Sequence, residues 1–137
     1  MIDSRYNVTV GLIIETAKEP LIITEIMELH PSKIIRNKQV MDTILEQDSS
    51  VLWVYREHFR GQNDVDDCIN QFFMQIPNIK EKMSTITRIG ISKLRVSLVS
   101  EYGQIGFGLS INSIKLLNDM NISLEISIFS YGMCIDE

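Results

Sequence analysis

Cysteine is scarce in this chain. Only Cys68 and Cys134 occur, far apart and in neither a CxxC nor a Cys/His spacing, so neither a disulfide framework nor a zinc module organises the fold, and both are expected as reduced thiols. Histidine is equally scarce: His30 precedes a proline at a helix end, His58 follows Glu57, and neither has a partner at the spacing of a catalytic dyad or a metal pair. A GxSxG elbow, a P-loop and an HExxH motif are all missing. The expectation is a protein that is not an enzyme and holds neither cofactor nor metal. No apolar run approaches the roughly 18 to 20 residues that span a bilayer, and Met1 to Arg5 lacks the apolar core of a secretory signal. A cytoplasmic location away from membranes is therefore expected. Positive charge is also in deficit, with a net charge of −5 and a pI near 5.0, which removes the electrostatic footprint of a nucleic-acid binder.

What the chain does contain is one-sided periodicity. With 137 residues, 45% of them hydrophobic, it suits a single α+β domain over 1–137 with a real core. Val8, Val10, Leu12 and Ile14 alternate with Thr9, Gly11, Ile13 and Glu15, as in a half-buried strand. The same period recurs at Leu94, Val96 and Leu98, at Ile105, Phe107, Leu109 and Ile111, and at Ile122, Leu124, Ile126 and Ile128. Val51 to Tyr55, rich in β-branched and aromatic residues, predicts a further strand.

Helical spacing appears at Ile22, Ile26 and Leu29, widened by Ile23 and Met27 and ended by Pro31. A long helix with Val65, Ile69, Phe72, Phe73 and Ile76 on one face, led in by Asp64, Asp66 and Asp67, is broken at Pro77 and resumes through Ile79, Met83 and Ile86. A short helix with Ser110 or Asn112 as N-cap carries Ile111, Ile114, Leu117 and Met120 as a stripe and stops at Asn121. Between 32 and 50 the pattern weakens, with helical turns conceivable at Val40, Met41, Ile44 and Leu45. Since each strand is apolar on one face, the helices should cover one face of a largely antiparallel or mixed sheet: a two-layer sandwich, ferredoxin-like or a variant of it.

The helix and its exit, Ile23 to Lys38, with Leu29, Pro31, Arg36 and Lys38 in order, resemble the opening of the bacterial family catalogued as domain of unknown function 4279. The Trp-containing strand at Val51 to Tyr55, the long helix broken at Pro77 and the segment Gly106 to Ser110 leading into helix and strand follow in the same order. The chain departs from the motif at Ile35, where a Trp is expected before the Arg. The resemblance implies the fold and a bacterial origin, and carries no activity.

Three groups of residues remain as candidate sites. The acidic trio Asp64, Asp66 and Asp67 lacks the glycine and distal glutamate of a calcium loop and reads as helix N-terminal charge. Gly103, Gly106 and Gly108 run in the reverse order of a dinucleotide fingerprint and sit on a predicted strand rather than a strand-to-helix turn. Bare positions at Gly106 and Gly108, together with Phe129 and Tyr131, predict a partner-binding or self-associating sheet face, unless neighbouring side chains cover it. Lys33, Arg36 and Lys38 concentrate positive charge in an acidic chain and are either a solvated loop or a seat for a small anionic ligand. The leading expectation is a protein-binding module of immunity or regulatory type; the alternative is a small anionic-ligand-binding regulatory domain.

Overall fold

The computed structural model describes residues 7–36, 50–60, 64–100 and 106–130. In chain order they form β1 (Asn7–Thr16), α1 (Pro20–Met27), β2 (Lys33–Arg36), β3 (Val51–Arg60), α2 (Val65–Met74), α3 (Ile79–Ile86), β4 (Gly90–Ser100), α4 (Ile111–Asp119) and β5 (Ile122–Ser130). One five-stranded sheet has the order β2-β3-β1-β4-β5. Every neighbouring pair is antiparallel except β4 with β5, which are parallel. The first four strands interleave two split β-α-β units: β1-α1-β2 has β3 between its strands, and β3-α2-α3-β4 has β1 between them. That is the ferredoxin-like plan. The unit α4-β5 extends it on the β4 edge through a parallel crossover.

Alternation along the strands builds the core. Val8, Val10, Leu12 and Ile14 of β1, Trp53 of β3 and Leu94, Val96 and Leu98 of β4 are all buried on the face that the helices cover. The helices contribute Ile23, Met27, Ile69, Phe72, Met83 and Ile86. Asn78 in the left-handed conformation (φ 54°) separates α2 from α3 one residue after Pro77, so the expected long helix is two helices.

Several expectations are corrected. The strand predicted across 105–111 is absent from its described part: 106–110 pairs with no strand, and Ile111 opens α4 behind Ser110, whose hydroxyl accepts from the Ser113 amide. The alternation there is real but reports one-sided packing, because Phe107 and Leu109 lean on the core while a side chain added at Gly106 or Gly108 would meet nothing within 4 Å. Conversely, Lys33–Arg36 is a strand that periodicity missed, since all four residues are exposed and a short edge strand needs no apolar face. β3 runs five residues beyond Tyr55, carried by its ladder with β1.

Two helical stripes are also rotated from the predicted ones. α1 buries Pro20, Ile23 and Met27 and leaves Ile22 outside; α4 buries Ser113 and Leu117 and leaves Ile111 and Ile114 exposed. α1 ends at Met27, before Pro31. Glu28 takes the left-handed cap position (φ 58°), and the buried Lys82 of α3 donates from Nζ to the Met27 carbonyl at 3.0 Å while pairing with Glu28 at 3.2 Å. A cation on the last free carbonyls of a helix satisfies them and opposes the negative end of its dipole. The predicted turns at Val40 to Leu45 lie outside the described residues.

Trp53 ties the first helix to the sheet: its ring is fully buried and its Nε1 donates to Thr24 Oγ1 at 3.0 Å. Trp53→Phe keeps an aromatic ring in the core but deletes that donor. A loss of about 1–2 kcal/mol is expected in urea unfolding followed by circular dichroism, from one buried hydrogen bond and a smaller ring. A midpoint equal to wild type would show that the indole nitrogen contributes nothing.

Candidate functional site on the outer sheet face

The strand residues that point away from the core fall into rows fixed by register. One row runs Arg56, Gly11, Arg95, Glu125 across β3, β1, β4 and β5. The next carries Lys33, Val54, Ile13, Lys93 and Ser123, and the one beyond it Ile35, Leu52, Glu15 and Ile91. On the other side of the arginine row lie His58, Thr9, Ser97 and Ser127, then Arg60, Asn7, Val99 and Phe129. None of the four described helices covers this face. The central rows enclose a groove of about 370 Å3 with Ile13, Ile35, Leu52 and Val54 in its floor and Lys33, Arg56, Lys93 and Arg95 around it. Its size lies within the range of small-molecule sites.

Gly11 decides the shape of the groove's centre. It sits in the middle of the central strand, and a Cβ there would come 3.1 Å from Arg56 Cγ, so the arginine stem occupies the space a side chain would take. Glycine thus lets the Arg56 stem pack on β1. On the far side, Glu125 accepts from Arg95 Nη2 at 3.1 Å and is paired with Lys93 at 3.2 Å. Hydrogen bonds from Lys93 and then Arg95 hold its carboxyl below the ordinary glutamate range. Among the described residues neither Lys33 nor Arg56 makes an ion pair. His58 shares a 2.9 Å hydrogen bond with Thr9 through Nδ1 and stands exposed on the same face.

The predicted sites are only partly brought together. Lys33 and Arg36 lie in one strand but face opposite sides of the sheet: Lys33 pairs with Val54 in the groove, and Arg36 pairs with Val51 on the helix side. Lys38 lies outside the described residues. Phe129 is on the outer face, at its corner and 60% exposed. Gly106 and Gly108 are not on that face, because their segment runs along the helix layer into α4; Tyr131, Cys134, Gly103 and Ile105 lie outside the described residues.

The acidic trio is structural. Asp64 caps α2 by accepting from the Asp67 amide, and Asp66 Oδ1 accepts from the Ser110 amide at 2.9 Å and the Ser113 hydroxyl at 2.6 Å. Those bonds, the Ser110 amide first, hold the Asp66 carboxyl below its ordinary range. Burial, with Asp64 and Asp67 nearby, pushes the Cys68 thiol up to about 11, so it is a core side chain and not a nucleophile. No group of three potential metal ligands occurs among the described residues, and no helix is long and apolar enough to cross a membrane.

Sequence reasoning missed Arg56, Lys93, Arg95 and Glu125 because they are scattered over residues 56–125 and meet only through register. The one local signal was Gly11, a bare residue inside an otherwise β-forming run. Fold and face together define a ferredoxin-like α+β sandwich extended by a parallel strand, with a basic groove on its uncovered sheet surface. The chain belongs to the family described as Domain of unknown function (DUF4279), whose model matches residues 4–131. No curated protein and no solved structure matches it.

Proposed function

We propose that this protein is a non-catalytic binding module whose outer sheet face receives an anionic ligand. The observation that carries the reading is the segregation of charge. In a chain of net charge −5, Lys33, Arg56, Arg60, Lys93 and Arg95 share the outer face with only Glu15 and Glu125 as described counter-charges, while the described helices and their caps hold eight acids, Glu19, Glu25, Glu28, Asp64, Asp66, Asp67, Glu81 and Asp119, against Lys80, Lys82 and Lys115. Cations gathered against the sign of the whole chain, over a concave apolar floor, favour recognition of negative charge.

A protein partner of immunity or regulatory type is the second reading. It is favoured by Phe129 and Ile91, which are 60% and 71% exposed on the same face and would suit an apolar contact area beside the cations. Backbone NMR during titration with a panel of small carboxylates, phosphates and acidic peptides tests both readings. Shifts are expected in β1, β3 and β4 residues of the outer face and should vanish in the Arg56→Gln, Lys93→Gln double variant. Shifts confined to the helix layer, or none with any anion, would remove the proposal.

A further inference from the structure

We propose that this chain associates with a second copy of itself through β5, the two strands pairing antiparallel so that their sheets run on as one. A sheet edge presents unpaired backbone donors and acceptors, and proteins ordinarily guard it with a short strand, proline or charge, lysine above all. The two edges of this sheet are treated differently. β2 is guarded: it is four residues long, with Lys33 and Arg36 at its ends. β5 runs for nine residues, Ile122–Ser130, without proline or lysine, and pairs with β4 alone among the described residues. Its single charge, Glu125, is already engaged on its own sheet by Lys93 and Arg95.

Apolar surface accompanies this open backbone. Along β5, Ile122 is buried, Leu124 and Ile126 are half-buried, and Ile128 on the helix side and Phe129 on the outer side are exposed. α4, which packs on β5, leaves Ile111 and Ile114 exposed as well. An unguarded edge with apolar side chains on it is a template for another strand.

The sequence of β5 suits its own copy. A two-fold axis perpendicular to the sheet and passing through Ile126, the midpoint of the strand, pairs all nine residues and keeps both helix layers on one side. Ile126 then faces Ile126 of the copy and Leu124 faces its Ile128, so the inner apolar row continues across the junction. On the outer side Glu125 faces Ser127 of the copy, a carboxylate opposite a hydroxyl. Moving the axis to Glu125 would set two carboxylates against each other, which destabilises a strand pair. Moving it to Ser127 would set Glu125 against Phe129 and shorten the ladder. The junction would be about 30 Å long at 3.3 Å per residue and, with α4 over the strand, roughly 20 Å deep. Two copies would then bury on the order of 1,200 Å2, the lower end of specific interfaces, which fits a reversible dimer. This pairing is independent of the anion-binding reading, and it would bring two outer grooves onto one continuous surface.

Sedimentation velocity of the whole chain, from low micromolar to submillimolar concentration, tests the pairing. Wild type is expected to pass from monomer to dimer. Ile128→Lys, which installs the usual edge guard at an exposed position, should weaken association roughly tenfold or more. Ile34→Lys, on the opposite edge, should associate as wild type does, and thermal melts check that both variants are folded. The register is read separately in a Cys134→Ser background. Opposed residues of an antiparallel pair have Cβ atoms about 4.5–5.5 Å apart, close to the separation in a disulfide. Ile126→Cys should therefore link two chains under mild oxidation, and Ser123→Cys, which faces Phe129 of the copy, should not.

A wild-type chain that stays monomeric throughout would overturn the proposal, as would assemblies that grow beyond two, since a two-fold pair closes on itself. Dissociation by Ile34→Lys with Ile128→Lys still dimeric would overturn β5 as the interface. Should Ile128→Lys fail to fold, the linkage decides alone: a dimer whose Ile126→Cys variant remains unlinked is not joined through β5.

Discussion

Asp66→Ala is expected to destabilise the protein by about 3 kcal/mol, since two hydrogen bonds to a charged acceptor are lost and each is typically worth about 1.5–3 kcal/mol before allowance for partial exposure. Its Oδ1 takes the backbone amide of Ser110 and the hydroxyl of the fully buried Ser113, and Asn70 Nδ2 joins the cluster by donating to the Asp66 carbonyl at 2.8 Å and to Ser113 Oγ at 3.0 Å. One carboxylate on α2 thus anchors the first turn of α4. The loss should be uneven: hydrogen exchange is expected to quicken most in α4 and along β5, and least in β1, which is paired on both sides.

The same group gives a pH dependence. Its carboxyl titrates lower in the fold than the ordinary 3.8, so its contribution is complete above that value and is lost as the pH falls through the depressed folded value. Asp66→Asn retains an acceptor oxygen but no titrating charge, so its stability should fall less steeply than wild type over that acidic window. A loss below about 1 kcal/mol in the alanine variant, against the range expected for charged hydrogen bonds, would show that the Asp66 carboxylate is not what anchors α4.

Gly90→Ala should cost roughly 2–3 kcal/mol, the range for overpacking at a site that cannot yield. The new methyl would lie 2.6 Å from the Glu15 carbonyl oxygen, with Ile14 and Thr16 side-chain atoms at 3.4 Å. That carbonyl belongs to the central strand, beside the terminal Thr16–Gly90 pair of the β1–β4 ladder, and moving it disturbs hydrogen bonds on both sides. The contact at Gly11 differs in kind, because the obstructing atom is the stem of an exposed arginine that can swing aside. Gly106→Ala meets nothing at all. Chemical denaturation of the three alanine variants should therefore rank Gly90 as most costly, then Gly11, then Gly106; a Gly90 variant no weaker than the Gly106 variant would contradict the steric account.

The layered core was legible because burial imprints period two on strands: Val8 to Ile14 and Leu94 to Leu98 announced their inner faces. Pro77 likewise marked the break between α2 and α3, and Asn121 (φ 60°) the turn into β5. The same signal misled at Phe107 and Leu109, because alternation records which side is buried and says nothing about whether a neighbouring strand is hydrogen-bonded. β2 was illegible for the opposite reason: an edge strand exposed along its length leaves no hydrophobic trace. The groove was hidden more deeply. Lys33 stood out in the chain only beside Arg36 and Lys38, Arg56, Lys93 and Arg95 are unremarkable where they stand, and only the order β2-β3-β1-β4 and its register bring the four to one groove.

Among the described residues, five cations against two acids on the outer face and an excess of acids on the helix side direct an electric dipole across the sheet, with the positive pole at the groove. At a distance an approaching anion meets the net charge of −5 and is repelled. Within about a Debye length, roughly 8–10 Å at physiological salt, the nearer pole dominates and the force reverses. Encounter is therefore orientation-dependent: arrival over the sheet is accelerated and arrival over the helices is turned away, so the fold itself selects the direction from which its groove is reached.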